Sequence, residues 1–124
     1  MTAPNIVGLN TLTGITTTFA LTTLPEVIIT NAADSNQVYK VNSILVSNKD
    51  GTNASDLNIK FHPHAAAGAG TSISLMHTVS VAADSTLVAV DRAAAFYVEE
   101  GQSVVAYAGA ASDLDLLASY EIIE

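Results

Sequence analysis

Cysteine is absent from this sequence of 124 residues, and tryptophan is absent as well. Without cysteine, the fold cannot be held by disulfide bonds, and metal sites built on thiolates are excluded. Charged residues make up only 13% of the chain while 49% is hydrophobic, which excludes a disordered chain and a coiled coil. The fold therefore depends on the packing of apolar side chains, and the length suits one domain.

Basic residues are scarce. Four lysines and arginines stand against twelve aspartates and glutamates, so the formal net charge is -8 at pH 7. A surface of this sign repels nucleic acid phosphates and anionic lipids. We therefore expect neither nucleic acid nor a membrane as a direct partner. The first residues lack the basic region and the long apolar run of an export signal, so we expect a soluble chain.

Apolar and polar residues alternate with a period of two, which is typical of half-buried strands. The alternation is clearest where Leu57, Ile59 and Phe61 share one face. The other alternating segments are 15–21, 73–81 and 114–122. Four further segments carry apolar residues on both faces, namely 27–30, 38–47, 86–90 and 103–108. We expect these four to be central strands or to lie under another layer.

Turn-forming residues separate these segments about every ten residues. Gly51 and Gly101 follow acidic residues and suit hairpin turns. The short alanine-rich windows at 65–69 and 93–95 have no amphipathic face, so we interpret them as loops or single turns. Roughly eight short strands with regular turns predict an all-β fold, an antiparallel β-sandwich or barrel.

Three histidines, His62, His64 and His77, are the residues best suited to bind a metal together. Imidazoles two positions apart can reach one ion while a third comes from a neighbouring strand. Pro63 is expected to end the strand, so we interpret the first two as surface histidines of a loop. His77 lies on the apolar side of its strand, which favours a hydrogen-bonded histidine at a core edge or a subunit interface. A metal site remains the alternative.

Four oxygen-bearing side chains surround one turn, as they would around calcium. They belong to Asn48, Asp50, Asn53 and Asp56. Their spacing differs from that of an EF-hand loop, and the final bidentate glutamate is missing. We interpret the segment as a hairpin turn rich in Asn and Asp, with calcium binding as the alternative.

Asp113 and Asp115 are the nearest approach to a catalytic pair. On one strand face their carboxylates would lie about 7 Å apart, a separation that a glycosidase can use. No tryptophan platform for a sugar accompanies them, and no G-x-S-x-G nucleophile motif is present. We therefore predict no catalytic residues, no bound cofactor and no enzymatic activity.

Several segments are apolar on both faces, although a domain of this length needs only one core. Such a surplus, together with few lysines, is typical of surfaces that are covered by other subunits. We expect a homo-oligomer.

Five sequence blocks stand out along the chain. They are APNIVGL at 3–9, VNSILVSN at 41–48, DGTNASD at 50–56, YVEEGQS at 97–103 and LASYEII at 117–123. Together they resemble small virion structural proteins of tailed bacteriophages, of the cyanophage and aquatic-phage type. These proteins have no known catalytic residues, so the resemblance implies none in this sequence.

The resemblance implies a capsid decoration (cement) protein, because phage decoration proteins are often of this size. Such a protein would be a jelly-roll-like sandwich, a trimer by preference, bound to the major capsid protein between capsomers on the outer surface of the head. Residues 1–13 lack clean alternation and would be an extended arm, with 14–124 as the single β-sandwich domain. The alternatives are a neck, collar or tail protein of the virion and a carbohydrate-binding module, although the missing tryptophan argues against the module.

Overall fold

Strands make up most of the residues that the computed structural model describes, which are 11–63 and 70–124. In chain order they are β1 Leu12–Ala20, β2 Glu26–Thr30, β3 Val38–Asn48, β4 Ser55–His62, β5 Ile73–Val81, β6 Thr86–Val90, β7 Phe96–Val98, β8 Ser103–Ala108 and β9 Leu114–Ile123. A single 3₁₀ turn, Arg92–Ala94, lies between β6 and β7. No helix in these ranges has the length and hydropathy needed to span a bilayer. The predicted all-β fold is confirmed.

Two antiparallel sheets pack face to face. Sheet A has the order β1-β9-β3-β6, with β7 also paired to β3, and sheet B has the order β2-β8-β4-β5. The pairs β1 with β9, β2 with β8, β3 with β6 and β7, and β4 with β5 are nested inside one another along the chain. One long hairpin rolled into two sheets gives this order, which is the jelly-roll arrangement. The predicted β-sandwich is confirmed.

β6 and β7 act together as one interrupted strand, which is why nine strands appear where roughly eight are expected. Both pair with β3, β6 along Ile44 to Ser47 and β7 along Tyr39 to Val41. Between them, the carboxylate of Asp91 accepts a hydrogen bond of 3.1 Å from the backbone N–H of Ala94 and starts the 3₁₀ turn. The window 93–95 is therefore a single turn, as expected, whereas the window 65–69 lies outside the described residues.

The inner faces of the two sheets form one core of aliphatic side chains. In β4, Leu57 and Ile59 are fully buried, and Phe61 meets Phe96 of sheet A edge to face with ring centroids 6.0 Å apart. The central strands β3, β8 and β9 supply Val41, Ile44, Val46, Val104, Ala106, Ala108, Leu114, Leu116 and Ala118. Full burial of one large aliphatic side chain contributes about 1.5–3 kcal/mol to the stability of the folded state. The core can therefore stabilise the fold without disulfide bonds.

The four segments with apolar residues on both faces have two different explanations. β3 and β8 are central strands, as expected, whereas β2 and β6 lie at sheet edges. A central position is therefore wrong for 27–30 and 86–90, and the alternative, cover by another layer, stays a prediction. In β2, a register shift between Val27 and Ile29 allows the consecutive Ile28 and Ile29 both to be buried. In β6, Val88 lies on the outer side and is 54% exposed.

Two buried asparagines join the sheets at their ends. The Asn48 amide, at the end of β3, donates to the carbonyl of Val81, the last residue of β5 in the other sheet, over 2.9 Å. The Asn31 amide, just after β2, donates to the carbonyl of Val98 in β7 over 3.0 Å. Both amides are buried, where hydrogen bonds are strong and costly to lose. They link sheet A to sheet B without covalent cross-links.

The predicted N-terminal arm, residues 1–13, overlaps the first strand. Residues 1–10 lie outside the described part of the chain. Thr11 exchanges two backbone hydrogen bonds of 3.1 Å with Glu124, and Leu12 and Thr13 continue this pairing within β1. The β-sandwich therefore includes residue 11 rather than starting at 14, because the end of the chain still offers a backbone partner there.

Replacing Leu57 by alanine should lower the free energy of unfolding by about 2–5 kcal/mol, because the fully buried side chain would leave a cavity between the sheets. Urea denaturation followed by circular dichroism measures the change. Leu24→Ala is the matched control, because Leu24 is 72% exposed and its truncation should change the stability by less than about 0.5 kcal/mol. Equal losses for both variants would contradict this core.

Candidate interaction surfaces

The structure separates the histidines that could have formed a metal site. His62 is the last residue of β4 and is buried, so its interpretation as a surface histidine of a loop is wrong. His77 lies on the edge strand β5 and is exposed. His64 lies outside the described residues. Within ranges 11–63 and 70–124, no group of three or more histidine, aspartate or glutamate side chains is placed to hold an ion. The exposed position of His77 agrees with a strand edge and differs from a place at the core edge.

The polar side chains of the turn around Asp50 form hydrogen bonds with nearby backbone groups. Asn48 donates to the carbonyls of Asn53 and Val81, and its oxygen accepts from the backbone N–H of Asp50 over 2.9 Å. The Asp50 carboxylate accepts from the backbone N–H groups of Thr52 over 2.8 Å and Asn53 over 3.2 Å. These contacts build an Asx turn that stabilises the β3–β4 connection, as the interpretation from sequence predicts.

The electrostatics of this turn follow from the same donors. Hydrogen bonds from the backbone N–H of Thr52, and then from that of Asn53, hold the pKa of the Asp50 carboxyl below its ordinary value. Because both donors favour the ionised form, the turn is most stable while Asp50 is charged.

Asp113 and Asp115 do not form a pair on one strand. Asp113 lies in the turn before β9, where its carbonyl accepts from the backbone N–H of Lys49. Asp115 is the second residue of β9 and lies 3.3 Å from the Lys49 ammonium. Both side chains of this ion pair are about half exposed, at 54% and 51%, so the pair stabilises little. Only Asp115 belongs to the strand, so the two carboxylates do not share a strand face.

Lys40 and Glu121 lie opposite each other on the outer face of sheet A, and the three rows beyond them are nearly free of charge. The strand register places Thr18, Leu117, Leu45 and Val88 in one row across β1, β9, β3 and β6. The neighbouring rows contain Ala20, Asp115, Ser47 and Thr86 on one side and Thr16, Ser119 and Ser43 on the other. A shallow hollow of about 540 Å³ opens over part of this face. Asp115 is the single charge in these rows, and Lys49 pairs with it.

The outer face of sheet B has a different character. A hollow of about 320 Å³ lies over Val105 and Val27, with Lys60, His62 and Tyr107 around it. The Lys60 ammonium lies 5.6 Å from the centroid of the Tyr107 ring, a cation–π contact. This hollow brings together basic and aromatic groups on a chain that is otherwise acidic. Sequence reasoning missed it, because Lys60 and Tyr107 belong to strands that are distant in the chain.

No protein-family model and no curated protein matches the sequence. Solved structures are similar to it in fold. A chain from Bacillus endospore appendages, which form disulfide-linked pili, is 15% identical with a TM-score of 0.54, and the match covers 99% of this chain and 96% of that chain. A chain from the T13 IBDV viral particle is 8% identical with a TM-score of 0.52, covering 91% of this chain and 30% of that chain.

Identities this low establish the fold alone. The match to the appendage chain covers nearly the full length of both chains. The match to the viral particle takes in about a third of a longer chain. The resemblance to phage virion proteins stays a prediction.

The pKa of Asp50 leads to a prediction about pH. Because that pKa is lowered in the folded state, the hydrogen bonds of the turn stabilise the fold above the ordinary pKa of aspartate and are lost as pH falls through the lowered value. From about pH 6 to about pH 3, the wild type should lose more thermal stability than Asp50→Asn. High salt should preserve the difference, because backbone donors cause it. Parallel pH profiles of the two proteins would contradict this origin.

Proposed function

We propose that the protein is a non-enzymatic structural protein of a phage virion, and that it is a capsid decoration (cement) protein bound to the major capsid protein on the outer surface of the head. The observation that carries the proposal is on the outer face of sheet A, where Leu117, Leu45 and Val88 form an apolar row across β9, β3 and β6. The rows directly beside it contain one charge, that of Asp115. Surfaces depleted of charge in this way are typical of contacts between subunits.

The fold and the charge support this role. A jelly-roll sandwich is a compact unit with two broad faces, and chains with this fold occur in a viral particle and in a spore appendage. A net charge of -8 suits a position outside a DNA-filled shell, where no phosphate has to be neutralised. Several modest apolar contacts on a symmetric oligomer would together bind much more tightly than one contact alone.

A count of this chain in purified particles tests the proposal. Decoration of the head predicts on the order of hundreds of copies per particle, whereas about a dozen or fewer would place the protein in the neck, collar or tail. Quantitative mass spectrometry against the major capsid protein gives the number. Absence of the chain from particles would overturn the virion role.

The sheet A face can be tested separately. Val88→Lys places a charge in the apolar row at an exposed position and should lower occupancy on expanded capsids about tenfold or more, because the ammonium would have to be desolvated. Val27→Lys, on the outer face of sheet B, is the matched control and should bind as the wild type does. Binding that is unchanged for Val88→Lys would remove sheet A as the contact surface.

A second candidate is the subunit of a filamentous appendage, which the match to the endospore appendage chain over its whole length favours. Such a filament could not be linked by disulfides through this chain, since the chain has no cysteine. Electron microscopy of the purified protein separates the two candidates. The decoration proposal predicts small oligomers that assemble no further without capsids, whereas the appendage candidate predicts long filaments formed by the protein alone.

A further inference from the structure

The sandwich has four sides where a sheet ends, and natural proteins usually protect such edges against pairing. Three of the four edges have features that hinder the addition of another strand. β2 has five residues, a register shift and the charge of Glu26. β5 has two register shifts, and Thr78 within it has a positive φ of 50°. The side formed by β6 and β7 consists of short strands separated by the 3₁₀ turn.

The fourth edge, β1, carries none of these protections. Its nine residues pair with β9 in one unbroken register, from Leu12 opposite Ile123 to Ala20 opposite Asp115. The sequence LTGITTTFA contains no charged residue and no proline. Regular, uncharged edge strands of this length are templates for the addition of another strand.

The backbone hydrogen bonds show which groups point away from β9. Thr11 exchanges both backbone bonds with Glu124, and the N–H of Leu21 donates to the carbonyl of Leu114 over 2.9 Å. In an antiparallel ladder, bonded and non-bonded positions alternate, so the odd-numbered residues of β1 bond to β9. The even-numbered residues direct their N–H and C=O groups to the free side, where no strand of the described residues meets them. They are Leu12, Gly14, Thr16, Thr18 and Ala20.

We propose that two copies of this chain pair antiparallel through their β1 edges, around a two-fold axis that places Thr16 of one copy opposite Thr16 of the other. In this register Gly14 faces Thr18 and Leu12 faces Ala20. All five outward-facing residues of each copy then lie in bonded pairs, which gives about ten hydrogen bonds between the backbones. A shift of the register by two residues would leave a residue at the end of each strand unpaired.

The side chains fit the same register. On the outer face, threonine meets threonine at the centre, a favourable pair across strands. The exposed Leu12 comes to lie beside Ala20 of the second copy. On the core face, Ile15 lies opposite Thr17 and Phe19 opposite Thr13, so the partly buried Ile15 and Phe19 lose their remaining contact with water. The strands that meet carry no charge, although each copy has a net charge of -8.

The symmetry makes this contact a closed one. Each copy uses the same strand, so two copies satisfy each other and the β1 edge is no longer available to a third. The two A sheets become one sheet of eight strands in the order β6-β3-β9-β1-β1-β9-β3-β6. In this order β6 stands for the interrupted strand that β6 and β7 form together in each copy. The inference goes beyond the proposed virion role and concerns the protein in isolation.

Sedimentation equilibrium on the purified full-length chain tests the pairing. The wild type should be a dimer, and Thr16→Lys should shift it to a monomer, because two ammonium groups would face each other at the axis. Ser80→Lys adds the same charge to the exposed part of β5 and should remain a dimer. Thr16→Pro removes an outward N–H without touching the bonds to β9 and should also give a monomer. Circular dichroism verifies that each variant is folded.

A cross-linking experiment tests the register. The chain has no cysteine, so Thr16→Cys introduces the only thiol. A short bismaleimide should link two copies of this variant with high yield, whereas Ser80→Cys should give little dimer at the same protein concentration. A monomeric wild type, a dimer unaffected by Thr16→Lys, or efficient linking of Ser80→Cys alone would overturn the proposal. Loss of capsid binding by Thr16→Pro, which adds no charge to the outer face of sheet A, from a wild type that is monomeric would assign the β1 edge to another virion protein and would also overturn the proposal.

Discussion

Every other feature of this protein depends on the burial of one residue in two along its strands. Because a strand turns successive side chains to opposite faces, a period of two directs valine, isoleucine and leucine from both sheets into a single layer. No disulfide holds that layer, because the chain has no cysteine. The opposite face of sheet A carries mainly short polar side chains, with the row of Leu117, Leu45 and Val88 among them. The core and the candidate contact surfaces are thus two results of one pattern.

Much of the fold could be predicted from sequence, because it follows from local pattern. The alternation of Leu57, Ile59 and Phe61 identified β4 and its buried face, and the turn residues around Asp50 identified the connection before it. The edge positions of β2 and β6 could not be predicted. Two consecutive buried isoleucines in β2 result from a register shift, which leaves no mark in the composition of the segment. Strand order likewise depends on contacts between residues that are far apart in the chain.

The sequence indicated that the protein has surfaces suited to contact with other subunits, but it did not show where on the fold they lie. A shortage of charge indicated surfaces covered by other subunits, yet only the register shows that Val88, Leu45 and Leu117 form one row. The same holds for β1. Its lack of charge is visible in the sequence, but its distinction from β5 depends on the bulges and the positive φ of Thr78, which are properties of the paired sheets. By contrast, the sequence did not show that Asp113 belongs to the turn before β9 while Asp115 belongs to the strand and pairs with Lys49.

The amide of Asn48 connects this architecture to chemical ageing. Its nitrogen donates to two carbonyl oxygens, those of Asn53 and Val81, inside a closed corner between the sheets. Hydrolysis of that amide to a carboxylate would set a negative oxygen against both carbonyls, with no donor left between them and little water to separate them. Repulsion between these oxygens would then separate Asn48 from Val81 and weaken this contact between the two sheets. The sandwich has no disulfide, and its stability therefore depends in part on the chemical integrity of buried amides such as that of Asn48.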